Sequence, residues 1–252
     1  MVNASTSWSL IQGASRGLGL EMVRQLLAGG ESVVATCRDV AKAAALRELA
    51  AEVGQARLRI LTLDLHDEAS IQAAAAAATE WDIELVRLIN VAGLLHDGAL
   101  GPERKLDEVK LSSLQRVFEV NAFGPLLVAK AFAPLLRASG RAVLANVSAR
   151  VGSIGDNRMG GWYAYRASKS AQNMFTKNLA IELGRRRKEL VVLAVHPGTV
   201  ATDLSAPFAS RLGPDRRFPV ERGAAQVLSV IDGATRDDHG KFFAWDGSEI
   251  EW

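Results

Sequence analysis

Cysteine is almost missing. Cys37 is the only one in 252 residues, so no internal disulfide can form, and a reducing cytoplasm is the expected compartment. At the end of an apolar run, Cys37 reads as a buried thiol rather than a redox centre. The four histidines are scattered, with no thiol or acid at ligand spacing, so no metal site is expected. An excess of either charge is also lacking. The net charge is +2, far from a polyanion-binding domain, and no nucleic-acid partner is expected. The short cluster Arg185-Arg186-Arg187-Lys188 closes a helical pattern, where cations favour the macrodipole. No apolar run reaches the ~18 residues of a spanning helix, and the first residues lack the basic and apolar stretches of a secretion signal. No membrane span is expected.

What remains is an ordinary core-forming composition, 48% hydrophobic and 23% charged. Short apolar runs alternate with longer helical patterns. The runs at 9–11, 31–36, 57–63, 85–91, 142–147, 190–195 and 241–245 read as strands. Helices are expected over 17–28, 39–53, 67–81, 112–136, 165–187 and 220–231. The second of these starts at Asp39, which suits an N-cap. Six consecutive alanines at 73–78 fit the third helix. Continuous Val/Ile/Leu strands between helices predict right-handed βαβ crossovers and a parallel sheet covered on both faces. No linker or repeat breaks the pattern. One α/β, Rossmann-type, doubly wound domain of about seven strands is expected over residues 1–252, with its ligand at the C-terminal strand ends.

The first strand runs into Gly13-Ala14-Ser15-Arg16-Gly17-Leu18-Gly19 and then a helix. Glycines there let the backbone approach a pyrophosphate on the helix N-terminus. The spacing is G-x-x-x-G-x-G, not G-x-G-x-x-G. At the end of the second strand stands Thr36-Cys37-Arg38-Asp39. Asp39 could hold a ribose hydroxyl, but the helix-cap reading is preferred. Arg38 and Arg16 together could clamp a 2′-phosphate, so NADP(H) is favoured over NAD(H).

Tyr165 and Lys169 lie four residues apart at the head of a helical pattern. They share one face, one turn apart. A neighbouring ammonium favours phenolate and should lower the tyrosine's pKa, giving a group that donates a proton to a carbonyl oxygen or accepts one from an alcohol. Two solvated helix residues would show the same spacing. Tyr163, the only other tyrosine, is six residues from Lys169, and helical geometry selects Tyr165.

Taken together, Gly13-x-x-x-Gly17-x-Gly19, Leu63-Asp64-Leu65, Asn90-Val91-Ala92-Gly93, Asn121, Ser148, Tyr165-x-x-x-Lys169 and Pro197-Gly198 resemble, in order, the motifs of the classical short-chain dehydrogenase/reductase family. The resemblance covers nearly the whole chain. Residues 160–169 and the ending from Phe242 to Trp252 further resemble its C-factor-like and sniffer-like carbonyl reductase branch. Gln12 replaces the usual threonine, and Val91 a common second asparagine. Ser148 precedes Tyr165 by seventeen residues, a long gap that suggests an enlarged loop beside the substrate.

The resemblance implies a catalytic tetrad. Tyr165 would be the general acid or base, and Lys169 would lower its pKa and bind the nicotinamide ribose. Ser148 would hold the substrate oxygen, and Asn121 would anchor a proton-relay water. It implies that Ser15, Arg16, Leu18 and the three loop glycines meet the phosphates and that Asp64, beside Leu65, meets the adenine. Asn90, Ala92 and Gly93 would face the cofactor ribose, and Pro197, Gly198, Val200 and Thr202 the nicotinamide carboxamide. His196 reads as structural. Leu94, the 153–162 loop and residues 201–217 would wall the pocket. A homodimer or homotetramer built on the helices after strands four and five is implied, acting on a small carbonyl or alcohol. C-factor-like relatives also admit a cofactor-binding signalling protein with little turnover.

Overall fold

The protein is described by a computed structural model over residues 7–136, 140–211 and 217–252. Residues 212–216 of the expected pocket wall lie outside that description. Seven parallel strands run in the order β3-β2-β1-β4-β5-β6-β7. They are β1 (Ser7–Gln12), β2 (Ser32–Cys37), β3 (Leu58–Thr62), β4 (Glu84–Asn90), β5 (Ala142–Val147), β6 (Leu190–His196) and β7 (Phe242–Ala244). Burial is complete along β2 and β5, as continuous apolar runs require of strands covered on both faces. The sheet order reverses between β1 and β4, and the crevice at that switch point is where such folds take ligands.

Two layers of helices cover the sheet. α1 (Gly17–Ala28), α2 (Ala44–Val53) and α7 (Val220–Gly233) bury Leu26, Leu46 and Ile231 on one face. α3 (Glu68–Glu80), α5 (Gly124–Phe132) and α6 (Tyr163–Arg186) bury Ile71, Phe132 and Ala180 on the other. The alanine run of α3 allows close approach to α5 and the sheet.

Two helices depart from expectation. α2 starts at Ala44, with Ala43 as its N-cap, so Asp39 does not cap it. Asp39 instead closes a turn, its Oδ1 accepting from Lys42 N at 3.3 Å and its carboxylate pairing with Lys42 Nζ at 3.1 Å. The stretch expected as one helix over 112–136 is also divided. α4 (Leu111–Phe118) passes through a π-helical turn over Glu119–Phe123 into α5. That turn contains Asn121, whose side chain bonds outside the helix. π-turns of this kind frequently interrupt helices at functional sites.

Candidate active site

The glycine loop is built for close approach. Gly13 has φ +86°, and a Cβ there would stand 2.8 Å from Ala92 N, so no side chain fits. Gly13 N and Ala14 N donate to Thr36 O at 3.1 and 2.9 Å, tying the loop to β2. Gly17, at φ +56°, faces Thr202, whose Cγ2 a Cβ would approach to 3.3 Å. The loops after β1, β4 and β6 therefore meet here. Arg16 is the N-cap of α1, makes no side-chain cap bond, and is followed by no acid in the first turn. The first amide groups of α1 and its positive dipole end stay open to an anion. A dinucleotide diphosphate fits a cradle of this kind.

The other expected cofactor residues divide into two groups. Leu18 and Leu65 put their side chains into the two cores, and Val200 packs on α7 at Gly223, so only their backbones can meet a ligand. Asn90 turns inward as well, its Nδ2 donating to Asn146 Oδ1 at 2.8 Å. Half-buried Ser15, Ala92, Gly93, Pro197, Gly198 and Thr202 line the strand ends. Gln12 ties two of these loops together, its Oε1 accepting from Ala92 N at 3.2 Å. Asp64 Oδ1 accepts from His66 N at 3.0 Å. Arg38 is exposed at the end of β2, whereas Arg16 pairs with Asp203 at 2.7 Å.

Asn121, Ser148, Tyr165 and Lys169 converge from three elements. Asn121 Oδ1 accepts from Leu94 N at 2.7 Å, and its Nδ2 donates to Leu94 O at 2.8 Å and to Ser168 Oγ at 3.0 Å. It clamps the loop after β4 onto α6. Both Nδ2 hydrogens are used, while Oδ1 keeps a lone pair that can take a water. Ser148, just past β5, donates its hydroxyl to Asn173 Oδ1 at 2.6 Å. Lys169 Nζ donates to Val147 O and Gln172 Oε1, both at 2.9 Å. It lies 6.0 Å from the centre of the Tyr165 ring. A Cβ on Gly93 would be 3.6 Å from Asn121 Oδ1 and 3.8 Å from Lys169 Nζ, so these groups border one small space.

Burial overturns the simple pKa expectation for the pair. Desolvation pushes the Tyr165 phenol above its ordinary range instead of below it, and pushes Lys169 down to about 7. A lysine whose charged form is disfavoured by burial, and whose Nζ is turned toward Val147 and Gln172, pulls less on the phenol than the spacing alone implies. His196, at the end of β6, is pushed down to about 4 by burial and then by Arg150. Burial raises the Cys37 thiol, in keeping with an inert strand-end cysteine.

Above Tyr165 lies an apolar cluster of Leu95, Val151, Trp162, Leu204 and Phe208. Leu95, not the expected Leu94, packs there. The Trp162 ring meets Tyr165 edge-on at 6.2 Å and Phe208 at 5.1 Å. Trp162 is the N-cap of α6 at φ 52°, an uncommon conformation for a bulky residue. Glu103 supports it, its Oε2 accepting from Ala164 N at 3.2 Å. Among the described residues no group of three or more His, Cys, Asp or Glu could hold a metal, and no helix is long and apolar enough to cross a membrane.

Glu103, Gln172 and Asn173 escaped the sequence reading. The last two carried a legible signal, as polar residues three and four positions past Lys169 on the same helix face.

A family model described as short chain dehydrogenase matches residues 7–212. The 1-hydroxy-2-glutathionyl-2-methyl-3-butene dehydrogenase of Rhodococcus sp. (strain AD45) is 33% identical over 96% of this chain and 98% of its own. Among solved structures, the carbonyl reductase Sniffer of D. melanogaster superposes with a TM-score of 0.85 at 30% identity, over 98% of this chain and 99% of that one. An NADPH-bound carbonyl reductase from chicken fatty liver gives 0.83 at 33% identity, with the same coverage.

Proposed function

The chain belongs to the short-chain dehydrogenase family, and from that membership we propose an oxidoreductase that moves a hydride between NADP(H) and a carbonyl or secondary alcohol. The observation that carries it is the convergence of Asn121, Ser148, Tyr165 and Lys169 beside the glycine cradle. A bound dinucleotide supplies or accepts the hydride. Tyr165 gives its proton to the substrate oxygen in reduction and takes one back in oxidation. The Ser148 hydroxyl turns from Asn173 to hold that oxygen as charge develops on it. Lys169, when charged, eases loss of the phenol proton. Asn121 fixes the loop over them and offers one lone pair to a relay water. The aromatic cluster of Trp162 and Phe208 favours carbonyls with an apolar substituent.

The preference for NADP(H) rests on Arg38, exposed at the end of β2 where a 2′-phosphate is read, with Arg16 of the glycine loop as the second cation. A homodimer or homotetramer belongs to the same proposal, supported by exposed Leu111, Phe123, Met174 and Ile181 on the helices that follow β4 and β5. So does a cytoplasmic location, which rests on the single buried cysteine. The decisive experiment follows NADPH oxidation over a panel of aldehydes and ketones, with Tyr165→Phe as the control. Turnover that Tyr165→Phe abolishes supports the proposal. NADPH binding without turnover on any member sinks it and leaves a cofactor-binding signalling protein.

A further inference from the structure

α6 buries a polar stripe where a helix against a sheet ordinarily buries apolar residues. Tyr165, Ser168, Lys169, Gln172, Asn173 and Thr176 are all buried and follow three- and four-residue spacing. Most have an evident partner or role. Tyr165 and Lys169 are the acid pair, Ser168 meets Asn121, Asn173 meets Ser148, and Thr176 accepts from Asn146. Gln172 serves none of these. Its side chain is 1% exposed, Oε1 accepts from Lys169 Nζ at 2.9 Å, and Nε2 is buried with no partner among the described residues. A buried amide with an unpaired donor is destabilising. Methionine would fill the same length without that cost, so packing alone does not explain a glutamine here.

The ammonium has three donors. One goes to Val147 O, a backbone acceptor that any sequence would supply. A second goes to Gln172, and this acceptor depends on the side chain. We propose that Gln172 is a positioning residue for the catalytic lysine: its Oε1 fixes the Lys169 ammonium and holds the proton on it. The inference rests on the oxidoreductase reading for its consequence in turnover, and on the hydrogen bond alone for its consequence in titration.

The groups facing Lys169 are few. Tyr165 lies on its own helix, and Asn121 comes from the π-turn across Gly93. His196 comes from β6, where Lys169 and Arg150 lower its proton affinity and Asp246 raises it. No carboxylate among the described residues pairs with Lys169. The amide oxygen is therefore the side-chain acceptor that favours the charged form. Because burial brings Lys169 near neutrality, a modest change in that acceptor changes how much of the protein carries the charge.

The test uses the full chain labelled with 13C at lysine Cε and titrated by NMR, with the Lys169 signal identified by its loss in Lys169→Met. Gln172→Met removes the acceptor, and the near-isosteric Gln172→Glu adds a negative one. The Lys169 midpoint should fall by about one pH unit in Gln172→Met and rise by a similar amount in Gln172→Glu. The upper pH limb of kcat for carbonyl reduction should move in the same two directions, with little change in KM. A residue that only filled space would not reverse sign between the two variants. A Lys169 midpoint that stays put in both overturns the inference, whatever the activity. Midpoints that move as expected in a protein reducing no carbonyl uphold the contact and sink the oxidoreductase reading instead.

Discussion

The hydroxyl of Ser148 and the amide oxygen of Asn173 stand 2.6 Å apart, both buried, one just past β5 and the other nearly three turns into α6. That is the short end for an O–H···O bond. Asn173 Nδ2 faces Gly152 O at 3.5 Å, which orients the amide with its oxygen toward the serine. The bond holds the serine oxygen in place, and on the proposed mechanism a small hydroxyl rotation would re-aim its proton at the substrate oxygen.

Replacing Asn173 with leucine should leave Ser148 free to choose other rotamers. We expect kcat for carbonyl reduction to fall about tenfold, with Ser148→Ala falling about a hundredfold or more, as for loss of one oxyanion donor. Because both act through the same hydroxyl, the double variant should be no slower than Ser148→Ala alone. Steady-state kinetics of the four proteins decide this. Additive losses would mean that Asn173 acts elsewhere.

The two tyrosines make a clean comparison. Tyr165 is buried beside Lys169, whereas Tyr163 is 40% exposed. Tyr165→Phe should lower kcat by roughly a thousandfold, within the usual contribution of general acid catalysis, while NADPH still binds. Tyr163→Phe should stay within about twofold of the parent, as surface changes usually do. Equal losses in the two variants would remove the assignment of Tyr165 as proton donor.

The helix at 17–28 and the strand at 142–147 were legible in full, because apolar periodicity and glycine punctuation act locally. The structure brings the four residues expected as a tetrad, Asn121, Ser148, Tyr165 and Lys169, to one side of the sheet. What escaped depends on contacts across the chain. The π-turn at Asn121 is set by Leu94 and Ser168, which no helical periodicity reports. The sign of the Tyr165 shift follows from burial of both partners, while the spacing showed only that they are neighbours. Arg16 reads in sequence as half of a 2′-phosphate clamp, yet it is paired with Asp203, 187 residues away.

That ion pair bears on cofactor preference. Both side chains are about three-quarters exposed, so the pair is weak, and a phosphate can compete for the guanidinium. Asp203→Asn should release Arg16 and tighten NADPH two- to fivefold, about what an exposed pair is worth, with NADH unchanged. Arg38→Ala should weaken NADPH about tenfold or more and leave NADH alone. Fluorescence titration of both dinucleotides measures this. Unchanged NADPH binding in Arg38→Ala would overturn the 2′-phosphate assignment.

His196 sets the acid side of the stability curve. Its Nδ1 is buried and has no partner among the described residues, so a proton added there would meet no acceptor. Burial therefore holds the folded-state pKa at about 4, against 6.5 for the free side chain. The unfolded chain binds the proton first as pH falls, so stability is complete above 6.5 and drains away between 6.5 and 4. The loss across that window is on the order of 3 kcal/mol. His239 is shifted in the same direction and adds to the slope, so the informative quantity is a difference. Hydrogen bonds hold the carboxylates of Asp39, Glu108 and Asp246 below their ordinary ranges, so they act mainly at more acid pH. Chemical denaturation of the parent and His196→Leu should therefore give curves that converge as pH falls from 7 to 4, with the variant losing the smaller share. Parallel curves over that range would show that His196 takes up its proton equally in the folded and unfolded chain, and the neutral, unpaired imidazole would have to be given up.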